Sequence, residues 1–356
     1  MLDDKYRIER LIAVGGMGAV YLGTHTRLRK RVAIKLLNAQ HASGLLLERF
    51  QREAIAASQI GHEGIVQVTD LGATADGEPF LVMEYLEGES LAARLRAVGA
   101  LAIADACELG CAILAPLGAA HRAGIVHRDL KPDNVFLVRG PRGDTVKLLD
   151  FGISRVAGFD AEARLTSTGI VLGTPYYMSP EQARGESSIT AATDLYAFGA
   201  MLYEMLVGDV PIRADNYNQL MYRVTTSEYA PPRARRADLP EALERVVLAA
   251  MAPTPAERPA SAEALEHALL PFCRPEYREL AARLSSPVIG RASARPGTLG
   301  PAESAGLERA LFAGTTQIQA GADPGRPYAA TGSTSAAELI QPARRRPSAR
   351  QRVARV

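Results

Sequence analysis

The chain has 356 residues and a formal net charge of +2; 47% of its residues are hydrophobic and 22% are charged. This composition is typical of a globular protein with a sizeable core, and the length suits one two-lobed domain plus a tail, or two ordinary domains. The near balance of charge gives no reason to expect nucleic acid as a partner, and three cysteines exclude a disulfide framework. Acidic residues near the start do not fit a signal peptide, so we expect a cytoplasmic protein.

The N-terminal part of the chain alternates apolar and polar residues, a pattern that predicts strands. The predicted strands are residues 6–14, 19–22, 32–37, 65–71 and 80–85. Between the third and fourth strands, apolar residues recur at helical spacing and predict a helix over residues 45–60. We expect these elements to form a small, mostly antiparallel sheet with one helix.

Beyond Gly88 the apolar spacing becomes helical. The predicted helices are residues 90–98, 103–123, 194–207, 217–225, 241–251 and 261–270, and two short strands are predicted at 135–138 and 146–149. The longest apolar stretch, residues 110–126, is interrupted by Pro116 and His121, which favours a buried helix over a membrane span. The sequence therefore predicts an α+β fold with a small β-rich N-lobe (residues 6–83), a hinge (84–88) and a larger helical C-lobe (89–272).

The last part of the chain, residues 285–356, is rich in Ala, Gly, Pro, Ser and Arg. Such a composition buries too little apolar surface to offset the entropy of ordering, so we predict a flexible, low-complexity tail. Its end carries several arginines and no acidic residue. Weak contact with a membrane and a solvated end without any partner are both open readings of this run.

Two motifs in the N-lobe suggest contacts with phosphate, although neither is specific alone. The run GGMG at residues 15–18 lies in a turn between two strands, where missing side chains let backbone approach a phosphate, but most glycine-rich hairpins are simple turns. Lys35 lies in an otherwise apolar strand, and an edge strand that reaches solvent would explain it equally well.

The most informative motif is HRDLKPDN at residues 127–134, followed by DFG at residues 150–152 after a short apolar strand. Two strands flanking a turn would bring Asp129, Asn134 and Asp150 to one end of a β-hairpin. A carboxylate and an amide there can hold Mg²⁺, which leaves the other carboxylate for a substrate hydroxyl. A solvated charged turn explains a lone DFG, but it does not explain this order and spacing.

Together these motifs resemble those of the eukaryotic-type (Hanks-type) protein kinases. The sequence is most similar to bacterial serine/threonine kinases, through GGMG at 15–18 and SPEQARG at 179–185. The resemblance covers residues 6–272. It implies a two-lobed kinase fold, transfer of the ATP γ-phosphate to protein serine and threonine hydroxyls, and ATP with Mg²⁺, or Mn²⁺, as cofactors.

The resemblance also implies roles for individual residues. Asp129 would orient the substrate hydroxyl, Lys131 would neutralise the γ-phosphate, and Asn134 and Asp150 would bind the metal. Lys35 would bind phosphates and pair with Glu53. The residues expected around ATP are Ala13, Val14, Gly15, Gly16, Met17, Gly18, Val20, Ala33, Lys35, Met83, Glu84, Leu86 and Phe136.

Three further residues have structural roles in the family. Glu181 and Arg258 would form an ion pair, and Asp194 would brace the backbone of the catalytic loop. One position departs from the family's pattern: Ala13 stands where the first glycine of the loop is usual. Alanine disfavours positive φ, so we expect weaker ATP binding or loop closure.

The resemblance further implies regulation by phosphorylation. Thr166 and Thr168 would be phosphorylated by another copy of the chain in a transient homodimer, and the phosphate would pair with Arg128. In the tail, Thr315 resembles sites that phosphothreonine-binding modules recognise. Two alternatives remain: a pseudokinase scaffold that binds ATP without transfer, and a small-molecule phosphotransferase. The retained catalytic residues disfavour the first, and the segment between Asp150 and Glu181, which resembles a protein-substrate platform, disfavours the second.

Overall fold

The computed structural model describes residues 1–15, 18–37, 54–55, 58–141, 143–151 and 175–285, all within one compact unit, Met1–Pro287. Most of the predicted helix over 45–60 lies outside these ranges, although residues 54–55 and 58–59 are helical. The predicted tail, apart from its first residue, Ser285, also lies outside the described residues. So do several predicted site residues, namely Gly16, Met17, Glu53, Thr166 and Thr168.

The N-lobe contains a five-stranded antiparallel sheet with the order β1-β2-β3-β5-β4. Its strands are β1 (Tyr6–Gly15), β2 (Gly18–His25), β3 (Lys30–Leu37), β4 (Val68–Ala73) and β5 (Pro79–Glu84). The antiparallel sheet therefore forms as the apolar alternation predicts.

The strand predicted over residues 65–71 is displaced towards its C-terminal end. The apolar residues at its start pair with the C-lobe instead: the Val66 backbone N–H donates to Leu148 O at 3.0 Å, and the Leu148 N–H donates to Gly64 O at 2.8 Å. A short apolar run predicts burial in an extended segment, but it does not identify which strand will be its neighbour.

The C-lobe begins with a three-stranded antiparallel sheet and continues as helices. The sheet consists of β6 (Gly88–Ser90), β7 (Val135–Val138) and β8 (Thr145–Leu148). The helices are α1 (Leu91–Val98), α2 (Ile103–Arg122), α3 (Pro180–Ala183), α4 (Ala191–Val207), α5 (Tyr217–Thr226), α6 (Pro232–Arg235), α7 (Glu241–Ala250), α8 (Ala262–Leu269) and α9 (Pro275–Ser285). The predicted helices are thus present with shifts of a few residues at their ends, whereas β6, α3, α6 and α9 have no counterpart among the predicted elements.

The C-lobe surrounds one large apolar cluster, to which α2 and α4 contribute most. Helix α2 is long and apolar enough to cross a membrane, but it packs within this lobe and 56% of its most apolar window is buried. Cys107 and Cys111 on α2 are fully buried, as expected for small apolar side chains.

Helix α4 begins three residues before its predicted start at Asp194. The first turn contains Thr193 and Asp194, two buried polar side chains that the apolar periodicity does not register. Both are hydrogen-bonded to parts of the chain outside the helix. The helix is therefore part of the core and also supports the site.

Candidate active site

The catalytic loop, residues 127–134, joins α2 to β7 and holds three of the predicted site residues together. Lys131 Nζ donates to Asp129 Oδ2 at 2.7 Å. Asn134 Nδ2 donates to the backbone oxygen of Asp129 at 2.7 Å and to Oδ2 at 3.2 Å. Because the amide nitrogen of Asn134 points at Asp129, its amide oxygen remains available as a ligand.

The β7–β8 hairpin brings this loop next to the residues that follow β8. Val135 lies opposite Leu148 in the ladder, and the Leu149 N–H donates to Asn134 O at 2.9 Å. His127 Nε2 donates to Leu149 O at 2.9 Å. The hairpin predicted from the two short strands is present, and it places Asp150 beside the catalytic loop.

Asp194 on α4 fixes the start of the catalytic loop. Its buried carboxylate accepts the backbone N–H groups of His127 at 2.7 Å and Arg128 at 2.8 Å, and it lies 2.8 Å from His121 Nε2. Arg128 has a φ of 64°, in the left-handed region that costs free energy for a residue with a side chain. The two bonds from Asp194 hold the loop in this conformation, which turns the backbone towards Asp129.

Lys35 of β3 reaches across from the N-lobe and donates to Asp150 Oδ1 at 2.7 Å. The side chain of Lys35 is buried, whereas that of Asp150 is 31% exposed. Burial raises the pKa of Asp150, but the charge and hydrogen bond of Lys35 outweigh it and lower the pKa overall. Asp150 is therefore ionised at neutral pH, as a metal ligand must be. Glu53, the predicted partner of Lys35, lies outside the described residues.

Phe151 keeps Asp150 in this orientation. Its ring is buried and lies 4.7 Å from the ring of His127, between centroids. Asp150 itself has a φ of 51°. The side chains of Asp150 and Phe151 thus separate, one towards Lys35 and the other into the core.

The glycine turn between β1 and β2 shows why one of its glycines is required. Gly18 lies opposite Gly15 with a φ of 150°, and a Cβ on Gly18 would lie 1.9 Å from Leu36 O. Ala13, by contrast, lies within β1 opposite Val20, and its φ is not positive. The expected conformational cost of alanine at this position is absent, because the residue is extended.

The residues predicted to surround adenine lie on β3, on β5 and the hinge after it, and on β7. Ala33 on β3 faces Met83 on β5, and the apolar cluster around Met83 includes Leu86 and Leu149. Phe136 on β7 pairs with Ser90 of β6. These positions are consistent with apolar walls around a flat base.

The side chain of Glu84, at the start of the hinge, is bonded to other groups of the protein and is not directed at an adenine base. Glu84 Oε1 accepts the Gln67 N–H at 2.8 Å and forms an ion pair with Lys147 of β8. Lys147 was not predicted as a site residue. Its only signal in the sequence is a charge in the short strand that leads to Asp150, and a solvent-facing position explains such a charge equally well.

The predicted pair between Glu181 and Arg258 is present and buried. Arg258 donates two hydrogen bonds to the carboxylate, at 2.7 and 2.8 Å, and Thr193 Oγ1 donates a third at 2.7 Å. Burial alone would raise the pKa of Glu181, but these bonds lower it to about 2. The pair connects α3 to α4 and to the segment before α8, so it stabilises this part of the C-lobe.

The donors at the site fit a divalent cation bound together with a polyphosphate. Asp150 supplies a carboxylate and Asn134 an amide oxygen, which are ligands that Mg²⁺ accepts. Within the described ranges, no group of three or more His, Cys, Asp or Glu side chains forms a metal site from protein ligands alone. Mg²⁺ sites of phosphoryl-transfer enzymes commonly have few protein ligands, because the substrate phosphates supply others.

A β-rich lobe, a helical lobe and this set of polar residues between them define a protein kinase domain. The sequence matches the protein kinase domain family over residues 6–270, and the chain belongs to this family. Members of the family use ATP and a divalent metal.

Relatives with curated names support the serine/threonine type. The chain is 43% identical over 212 residues to the serine/threonine-protein kinase pkn2 of Myxococcus xanthus, covering 59% of this chain and 25% of that protein. It is 42% identical to pkn3 of the same organism, covering 68% and 45%, and 37% identical to PknB of Mycolicibacterium smegmatis, covering 68% and 39%. The chain thus spans less than half the length of these relatives.

Among solved structures, the kinase domain of PknI from Mycobacterium tuberculosis is similar to this chain. It has a TM-score of 0.61 and 26% sequence identity, and the match covers 77% of this chain and 98% of that domain. The two-lobed kinase fold predicted from the sequence is confirmed.

Proposed function

We propose that this chain is an active serine/threonine protein kinase that uses ATP with Mg²⁺. The observation that carries the proposal is the contact set around Asp129: Lys131 and Asn134 bind it directly, and Asp150 beside them is held by Lys35. These groups serve the three needs of phosphoryl transfer, namely charge neutralisation, metal binding and orientation of a hydroxyl.

Each residue has a defined task in this proposal. The Asp129 carboxylate would accept a hydrogen bond from the substrate hydroxyl and orient it. Lys131 and Lys35 would neutralise phosphate charge, and the oxygens of Asn134 and Asp150 would hold the metal. The bound metal and ATP supply the electrophilic phosphoryl group, while the protein positions it.

The decisive experiment is a transfer assay with labelled ATP and a general protein substrate. The chain should label serine and threonine residues, and the Asp129→Asn variant should not. Sequencing of the labelled sites distinguishes serine and threonine from tyrosine. A chain that binds ATP but labels nothing would instead be the pseudokinase scaffold.

The activation mechanism is proposed on the position of Arg128. Its side chain is exposed, and within the described residues it has no hydrogen-bonding or ion-pair partner; only its backbone is bonded, to Asp194 and Gln182. A phosphothreonine carries roughly −1.5 to −2 charge and suits a guanidinium group. We therefore propose that phosphorylation of Thr166 and Thr168 in trans, within a transient homodimer, activates the enzyme.

Mass spectrometry tests this mechanism separately from the activity. Protein incubated with ATP should carry both phosphates, and Asp129→Asn protein should carry neither. Replacing Thr166 and Thr168 by alanine should lower transfer to an added substrate several-fold. Full activity of that double variant would contradict the mechanism while leaving the kinase assignment intact.

The remaining proposals concern partners and location. Protein substrates follow from the family. We also propose a cytoplasmic location, which is supported by the sequence alone. Binding of a phosphorylated Thr315 by phosphothreonine modules and weak membrane contact of the tail are proposals about residues outside the described ranges. A Thr315 phosphopeptide that binds no such module would end the first of these.

A further inference from the structure

We propose that Lys147 is a positioning residue for nucleotide binding, which holds the hinge in register with the metal-binding end of the site. Lys147 lies on β8, three residues before Asp150, and its ammonium pairs with the carboxylate of Glu84, the residue that ends β5 and begins the hinge. The pair therefore connects the hinge directly to the strand that leads to the metal ligand. The inference rests on the proposed function only in assuming that ATP binds at this hinge.

The Glu84 carboxylate is shared between the two lobes. The same oxygen, Oε1, that meets Lys147 also accepts the Gln67 N–H at 2.8 Å, and the Glu84 N–H donates back to Gln67 O at 3.0 Å. Lys147 Nζ lies 3.5 Å from Ile65 O in the same segment. Three chain segments thus converge on one ion pair: the hinge, the stretch before β4, and β8.

The Lys147–Glu84 pair is less exposed to solvent than a typical surface ion pair. The side chains of Lys147 and Glu84 are 19% and 23% exposed. Loss of the lysine would leave a largely dehydrated carboxylate without its cation, so Glu84 should turn towards solvent and give up its bond to Gln67. The hinge backbone would move with it, although neither side chain needs to touch the nucleotide.

A second ion pair at the hinge provides a matched control. Arg31 of β3 pairs with Glu87 at 2.6 Å and its guanidinium lies 5.1 Å from the centre of the Tyr85 ring. The side chains of this pair are 57% and 63% exposed. Solvent therefore screens the attraction between the two charges, and it hydrates either side chain when the other is removed. Arg31→Met removes the same charge beside the same hinge, without the dehydrated carboxylate.

The experiment measures the dissociation constants of ADP and of adenosine by calorimetry, with the full chain. Lys147→Met should raise both by roughly five-fold, as expected for a charged hydrogen bond that is partly screened. Lys147→Arg should restore most of the affinity, and Arg31→Met should change it less than about two-fold. In transfer assays Lys147→Met should raise the KM for ATP and leave kcat nearly unchanged.

Adenosine separates positioning from simple attraction between Lys147 and phosphate. An effect on ADP without one on adenosine would mean that Lys147 acts only as a charge, and this would overturn the inference. Equal effects of Arg31→Met and Lys147→Met would overturn it as well. If Lys147→Met does not fold, Lys147→Gln replaces it, because glutamine removes the positive charge with a polar side chain and still leaves the Glu84 carboxylate without its cation; unchanged adenosine binding there would also contradict the proposal.

Nucleotide binding does not require transfer, so the two proposals fail separately. Wild-type protein that binds ADP but transfers no phosphate would contradict the proposed function alone. Combining Lys147→Met with Glu84→Gln should cost less than the sum of the single changes, because both remove the same interaction.

Discussion

The helical C-lobe surrounds one large apolar cluster, whereas the sheet of the N-lobe has a small cluster on each face. Strand β1, at one edge of that sheet, leaves Leu11, Ile12 and Val14 between 42% and 74% exposed. The catalytic loop is attached to the large cluster through Asp194 on α4. Lys35 and the glycine turn are carried by the thin sheet.

This difference separates two requirements of the site. Asp129 and Asn134 need fixed positions relative to each other, and a large core that resists deformation provides them. The groups that would contact ATP must admit and release a ligand, and a thin sheet can move as a unit for this purpose. The five predictions below follow the comparison between the lobes.

The largest effect is expected from Asp129→Asn. The carboxylate belongs to the site and not to the core, so transfer should fall by roughly 10²- to 10⁴-fold, the usual contribution of a positioned proton acceptor. The thermal unfolding midpoint should stay the same. Asp238→Asn, on an aspartate whose side chain is 67% exposed, is the control and should alter neither quantity. Retained transfer in the first variant would remove Asp129 from the mechanism.

Arg258→Met tests how strongly the C-lobe depends on its buried ion pair. It leaves the Glu181 carboxylate buried without its cation, so the free energy of unfolding should fall by about 3–5 kcal/mol in urea titrations. Arg245 pairs with Glu241 on the surface of α7, with both side chains more than 60% exposed. Arg245→Met should therefore cost no more than about 0.5 kcal/mol. Similar losses of unfolding free energy in both variants would show that the buried ion pair stabilises the protein no more than the exposed one.

The same pair predicts a dependence of stability on pH. The pKa of Glu181 is about 2 in the folded protein, below its ordinary value of 4.5. Its contribution is complete above pH 4.5 and is lost as the pH falls towards 2, because protonation then breaks the pair. The stability difference between wild type and Glu181→Gln should shrink by about 3 kcal/mol over this range. A difference that is independent of pH would contradict the assigned pKa.

Two matched core substitutions compare the lobes directly. Phe198 on α4 and Phe80 on β5 are both almost completely buried, at 0% and 1% exposure. Phe198→Ala should lower the free energy of unfolding by about 3–5 kcal/mol, and Phe80→Ala by less, because a small cluster can collapse into the space more completely than a large one. Hydrogen exchange should show faster exchange throughout the chain for the first variant and mainly in the N-lobe for the second. Equal and global effects would mean that the lobes unfold as one unit.

The smallest effects concern the glycine turn. Gly18→Ala places a Cβ against Leu36 O and should destabilise the turn by about 1–3 kcal/mol, which would raise the KM for ATP. Ala13→Gly should change that KM by less than about two-fold, because residue 13 is already extended. A marked decrease of KM in Ala13→Gly would restore the expectation that was based on sequence.

The sequence predicts well that Asp129, Asn134 and Asp150 come together, because they lie in two short runs, 127–134 and 150–152, that are separated by a hairpin. Local spacing is enough to bring them together. The long helix α4 is also predicted, since its apolar character continues over several turns.

Contacts between distant segments could not be predicted in the same way. Ile65 and Val66 have the apolar character of a strand in the N-lobe, but the hydrogen bonds of their segment go to β8. Lys147 appears in the sequence as one more surface lysine, and its pairing with Glu84 depends on how the two lobes meet. Alternation indicates burial, but the partner is decided by tertiary structure.

Strand β8 and the residues after it also indicate where the chain tolerates changes in length. From residue 147 to 150, each successive residue bonds to a different part of the protein: the hinge, the segment before β4, the catalytic loop and Lys35. Insertion of a single residue there would shift all of these contacts at once. The connection between β7 and β8, by contrast, contains Pro141, Gly143 and Asp144 in exposed positions. A peptide tag or a fluorescent label should be inserted in that connection, where the chain reverses direction outside the site.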